Sequence, residues 1–169
     1  MENNMEIYSE LIKEASEILP KGAFLTTKSG DKVNTMTIGW GYFGFAWGMP
    51  TLAVMVRESR FTKIAMDKEM EFTLTFPLDE GLKKELGYCG TKSGKDTDKI
   101  SDCNFEMIPA KTVSTPVINC KSIVFECKTL AITPQTAEFS APEINDKWYK
   151  NGDLHTFYFA KVTDFYKID

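Results

Sequence analysis

The run Val56-Arg57-Glu58-Ser59-Arg60-Phe61-Thr62 places two guanidinium forks and two hydroxyls within seven positions. Arginine matches phosphate oxygens bidentately, and hydroxyls with free amides at a helix start complete an anion site. A solvated turn, with its arginines paired to Glu58 or Glu69, would use the same residues. A second run, Cys89-Gly90-Thr91-Lys92-Ser93-Gly94-Lys95-Asp96, has two glycines that let backbone amides converge, with Lys92, Lys95 and Ser93 as added donors. It does not fit a nucleoside-triphosphate loop. The glycines stand one residue too close, and Asp96 follows Lys95 where Ser or Thr is needed. An ordinary surface loop between two helices is the competing reading.

Two further features carry possible chemistry. In Val33-Asn34-Thr35-Met36-Thr37-Ile38-Gly39-Trp40-Gly41, alternation sets Asn34, Met36 and Ile38 against the small face of Thr35, Thr37 and Gly39. Such a face, with free edge amides, suits the polar rim of a flat heterocycle. Trp40, Phe43, Phe45 and Trp47 could stack on a ligand or simply pack in a core. His155, in Asn151-Gly152-Asp153-Leu154-His155-Thr156, enters the last strand. A lone histidine serves either as a structural imidazole or as a hydrogen-bonding group at a site. No G-x-S-x-G elbow exists to supply a serine nucleophile.

These residues need elements to hold them. Ile7, Leu11, Ala15 and Ile18 fall on one helical stripe, so residues 1–20 are predicted to carry an N-terminal helix. Asn3 with Glu6 reads as its capping box, and Pro20-Lys21-Gly22 as its stop. Short β-prone runs follow at 23–27, 34–40, 51–56 and 71–76, with Gly30-Asp31 as a hairpin turn. Helices are predicted over 61–68, with Ser59 in the cap region, over 79–89, and more weakly over 95–103. Strands over 122–132 and 156–166 close the pattern, and the polar, proline-bearing stretch 133–153 reads as a long surface loop. The fold class is mainly β: a closed β-barrel with small helices rather than a doubly wound sheet, which would need G-x-G-x-x-G after a strand.

At 169 residues and 43% hydrophobic content, the chain fits one domain over 1–169. A formal net charge of -4 gives no general attraction to nucleic acid or anionic membranes, so a bound phosphate needs a local basic cluster. The acidic N-terminus is unlike an export signal, and the apolar stretch Tyr42–Val56 is broken by Gly44, Gly48 and Pro50. A soluble, cytoplasmic protein is expected. Cys89, Cys103, Cys120 and Cys127 then read as reduced thiols, and one histidine without a C-x-x-C pair argues against structural metal.

Taken in order, V-N-T-M-T-I-x-W-G, V-R-x-S-R-x-T, C-G-T-K-S-G-x-D and N-G-D-x-H-T-x-Y-F resemble the flavin reductase family of FMN-binding split barrels, its flavoredoxin branch above all. The resemblance runs from about Pro20 to Tyr166. It implies a six-stranded split barrel of Greek-key type, a homodimer, and one non-covalent FMN per subunit near the interface. It also implies NADH or NADPH as electron donor, and a small-molecule redox substrate or an electron-transfer protein as partner. Arg57, Ser59, Arg60 and Thr62 would hold the phosphate, with Thr91, Lys92 and Ser93 closing over it. Asn34, Thr35, Met36, Thr37 and Trp40 would lie along the isoalloxazine, Cys89 and Gly90 near it, and His155 on the side where the substrate approaches. Gly39 stands where the family pattern has serine, which removes a hydroxyl close to the ring.

Overall fold

The computed structural model describes residues 2–169, with side chains from Asn4 onward. Helix α1, Glu2–Ile18, turns toward the core the stripe Tyr8, Leu11 and Ala15. Ile7, predicted on that stripe, is exposed, because Tyr8 takes the inward direction instead. The Tyr8 ring packs on Phe125 and Phe165 while its hydroxyl donates to Thr51 O at 2.9 Å. A buried aromatic with a polar tip needs such an acceptor. The helix begins before Asn3, so this residue lies inside it rather than at its cap; the Asn3 side chain falls outside the described residues.

Nine strands follow: β1 (Ala23–Ser29), β2 (Lys32–Ile38), β3 (Gly41–Ala46), β4 (Met49–Arg57), β5 (Glu71–Pro77), β6 (Met107–Ile108), β7 (Val117–Ile118), β8 (Ser122–Pro134) and β9 (His155–Ile168). Seven of them form one antiparallel sheet in the order β2-β1-β5-β8-β9-β4-β3, and β6 pairs with β7 alone. Gly30 and Asp31 make the β1–β2 turn as predicted, with Ser29 opposite Lys32. The β3–β4 hairpin, missed in the sequence because its glycines read as interruptions, turns at Trp47-Gly48 with both φ values positive. That is the backbone twist two-residue hairpins favour.

Four more helices complete the chain: α2 (Thr62–Glu69), α3 (Lys83–Thr91), α4 (Lys99–Asp102) and α5 (Pro142–Trp148). Ser59 does not cap α2, whose Ncap is Phe61; its hydroxyl is drawn to Asp153 instead. The helix predicted over 95–103 shrinks to α4, opened by the Asp98 carboxylate accepting from Ser101 N at 3.2 Å. The loop predicted over 133–153 contains α5, started by Pro142 at its first turn, where proline's missing N–H costs nothing.

The mainly β class with small helices stands, but the barrel is not closed. The end strands β2 and β3 are not hydrogen-bonded to each other. The free side of β2 is covered by the segment carrying α3 and α4: Lys99 Nζ donates to Thr35 O at 2.9 Å, and Thr37 Oγ1 donates to Leu86 O at 2.6 Å. A main core of Leu25, Phe72, Phe76, Phe125, Val56 and Tyr158 fills the concave face, and a smaller one of Phe24, Cys89 and Ile118 lies beneath α3.

Candidate functional site

The β4–β9 ladder ends with Arg57 opposite His155, so residues 98 positions apart emerge side by side at one rim of the sheet. Two adjoining pockets open there, of about 200 and 190 Å³, and share Met36, Arg57 and Arg60.

The first pocket is cationic. Ser59, Thr62, Thr91, Lys92 and Ser93, singled out in the sequence for a phosphate, all line it, together with Phe61, Gly94, Lys99 and Asp153. Arg60 Nη1 donates to Gly90 O at 2.8 Å, which ties the arginine run to the glycine loop. Gly94 lets that loop close: a Cβ there would drive into Asn34 Oδ1 and stand 2.9 Å from Phe61 Cδ1. Lys32 Nζ fastens the loop further, donating to Gly94 O at 2.7 Å.

Inside this pocket an anion is already held, and it belongs to the chain. Ser59 N–H donates to Asp153 Oδ1 at 3.0 Å and Ser59 Oγ to Asp153 Oδ2 at 2.7 Å. Arg57 Nη1 donates to Asp153 O at 2.6 Å and Nη2 to Trp148 O at 3.2 Å, so its guanidinium braces the same loop. Lys99 was not singled out from the sequence, where lysine implies solvent. It is only 4% exposed, its ammonium donating to Thr35 O and to Cys89 O at 3.0 Å. Burial holds its pKa below the usual lysine range, countered by Cys89 and reinforced by Arg60. Among the described residues it has no carboxylate within ion-pair distance, so the pocket floor carries an uncompensated cation.

The second pocket is similar in size and carries the aromatic side chains. Met36, Thr37, Trp40 and His155, singled out in the sequence for the ring, line it with Ile38, Gly39, Met55 and Trp148. Trp40 meets Trp148 edge to face at 4.8 Å between centroids and lies 5.3 Å from the His155 ring. Trp148 was hidden in the stretch read as a polar loop. His155 Nδ1 and the Tyr149 hydroxyl share a hydrogen bond of 2.7 Å. Burial, then the nearby Arg57, lowers the imidazole to about 4, so it is neutral at ordinary pH; Asp153 opposes this and Arg60 adds to it.

Four predicted residues line neither pocket. Asn34 donates from Nδ2 to Thr62 Oγ1 at 2.9 Å, orienting a lining residue from behind. Thr35 Oγ1 is turned into the sheet, bonded to Leu25 O and the Thr26 hydroxyl. Gly90 offers only its carbonyl to Arg60. Cys89 faces away, fully buried with its sulfur 3.9 Å from that of Cys103, and burial raises its thiol to about 12. Of the small face of β2, Thr37 and Gly39 thus line the second pocket while Thr35 does not, and Met36 from the opposite set lines both pockets.

At one rim of an open antiparallel sheet, a cationic pocket thus abuts an aromatic one. Residues 19–169 match the flavin reductase like domain, and the chain belongs to that family, whose function is flavin-related redox chemistry. Among solved structures, a flavoredoxin from Methanosarcina acetivorans is 25% identical at a TM-score of 0.67, over 86% of this chain and 67% of that one. The flavoredoxin of Desulfovibrio vulgaris (Miyazaki F) is 19% identical at a TM-score of 0.68, over 88% and 69%. An FMN-binding protein from Thermus thermophilus is 20% identical at 0.67, over 86% and 69%. No curated protein sequence matches the chain.

Proposed function

We propose that the chain is an FMN-dependent oxidoreductase that takes electrons from NADH or NADPH and passes them to a flavin or another small acceptor. The observation that carries this reading is the junction of the two pockets at Met36, Arg57 and Arg60. A cationic chamber joined to an aromatic one matches a phosphate at one end and a planar ring at the other. The residues fit such a group, because the Ser59 amide and hydroxyl already cradle an anion in the form of the Asp153 carboxylate.

Arg60, Lys92 and Lys99 supply the positive charge for the phosphate, and Ser93 a hydroxyl donor. Trp40, Trp148 and Met55 offer the ring apolar surface. FMN, when bound, supplies reversible two-electron chemistry that no side chain here offers. His155 is neutral, so it acts as a hydrogen-bonding group rather than as a cation. When Tyr149 donates to Nδ1, the Nε2–H is left to stabilise negative charge in the pocket.

The test is anaerobic mixing of the flavin-loaded protein with NADH and with NADPH. Bleaching of the flavin band within milliseconds to seconds supports the reductase. A flavin that both nucleotides leave oxidised points to the second reading, an electron carrier serving protein partners, which the likeness to two flavoredoxins favours. Charge-assisted bonds contribute about 1.5–3 kcal/mol each, so FMN is expected to bind at least tenfold more tightly than riboflavin. Equal affinities would remove the phosphate from the proposal.

The working unit is a homodimer. Tyr42 and Phe45 on β3, which among the described residues pairs only with β4, and Trp47 in the turn that follows are all about 60% exposed. Large aromatics clustered on a sheet edge are a surface for a second copy.

A further inference from the structure

The Asp153 carboxylate is out of place for a pocket meant to receive a phosphate. Both of its oxygens are engaged by Ser59, one by the amide and one by the hydroxyl. These are the donors a phosphate oxygen would use at that corner. No lysine or arginine lies within ion-pair distance of the carboxylate among the described residues, although Arg57, Arg60 and Lys92 line the same pocket. Asp153 thus consumes the cradle's neutral donors while leaving its cations unneutralised.

The loop that carries it is tethered at defined points. Arg57 Nη1 holds the Asp153 carbonyl, and Glu58 N–H donates to Leu154 O at 3.0 Å. Behind them, Gly152 adopts φ +75, and its N–H donates to Tyr149 O at 2.8 Å. The main chain is therefore fixed by bonds that do not involve the carboxylate, whose only ties are those to Ser59. The side chain can turn away while the loop stays in place.

Resting on the reading that the pockets take FMN, we infer that Asp153 is a built-in competitor for the flavin's phosphate. It occupies the Ser59 corner when the site is empty, and its charge opposes the phosphate when the site is full. A phosphate monoester carries between one and two negative charges near neutrality, so it and Asp153 cannot share Ser59 without repulsion. The consequence is a flavin that exchanges: the site takes FMN and releases it, as a protein handing reduced flavin to another protein must. Riboflavin has no phosphate and is indifferent to this residue.

Fluorescence titration of FMN and riboflavin against the wild type, Asp153→Asn and Asp153→Ala tests the inference, with FMN dissociation rates measured alongside. Asn keeps an oxygen for Ser59 and removes the charge; Ala removes both. In both variants FMN is expected to bind tenfold or more tightly and to leave correspondingly more slowly, while riboflavin affinity moves less than threefold. FMN affinity that stays the same or falls, alone or together with that of riboflavin, makes Asp153 a strut for Ser59 and overturns the inference. A wild-type chain that binds neither flavin fails the cofactor reading, and this inference falls with it.

Discussion

At His155, one hydrogen bond and one neighbour set the behaviour of the side chain. The imidazole is held at about 4 by burial and by Arg57, against an ordinary value of 6.5. A base whose folded value lies below its unfolded value stabilises the fold above the unfolded value. That stability is lost as pH falls through the interval between them. The chain is therefore expected to lose up to about 3 kcal/mol of stability between pH 6.5 and 4, with no further loss from this group below 4. Chemical denaturation across that range measures it, and His155→Asn should flatten the curve. The same variant should slow flavin reduction about tenfold, roughly 1.4 kcal/mol of barrier, with FMN affinity little changed. A wild-type reduction rate in that variant would return His155 to the scaffold. Gly94 is constrained by space rather than charge. Gly94→Ala pushes a methyl group into Asn34 and Phe61, so the loop over the cationic pocket must shift. Overpacking of this kind costs about 1–3 kcal/mol, and FMN affinity should drop with it. Unchanged stability and affinity in that variant would show that the loop gives way freely.

Among the elements, what could be read from the chain and what could not divide along sequence distance. The run Arg57–Thr62 declares its anion chemistry because charge and hydroxyl are neighbours in the chain, and the loop 90–94 does so through its glycines. Lys99 stayed hidden because its burial comes from the packing of α4 against the free edge of β2, which no local pattern records. The closed barrel was inferred from strand number alone. Whether β2 and β3 bond to each other depends on what covers their edges, and the α3–α4 segment has taken that place. Helix α5 escapes the sequence because about two turns of mostly polar residues have no period to detect, yet it delivers Trp148 to the ring pocket. Trp148 is 44% exposed, so Trp148→Ala should shift the melting temperature by only a few degrees while weakening flavin binding severalfold. A large loss of stability with flavin binding intact would mean that α5 serves the fold rather than the site.

For the molecule as a whole, the exposed aromatics of β3 predict its state in solution. Light scattering should return twice 19.1 kDa, and Phe45→Glu with Trp47→Glu should return one chain's mass. A wild-type monomer that still holds flavin would dismiss the dimer. The position of β9 bears on how the chain comes off the ribosome. It is the last strand in chain order, yet it lies between β8 and β4 and alone joins the four-strand block β2-β1-β5-β8 to the hairpin β3-β4. During synthesis, Arg57 must wait for His155, an interval of roughly 5–20 s at ordinary elongation rates. For that time the edge of β4 that β9 will cover has no partner, and once β8 is made its outer edge waits as well, which makes them natural clients for a chaperone. A nascent chain stalled at Leu154 should thus be digested by protease, whereas one released after Ile168 should resist.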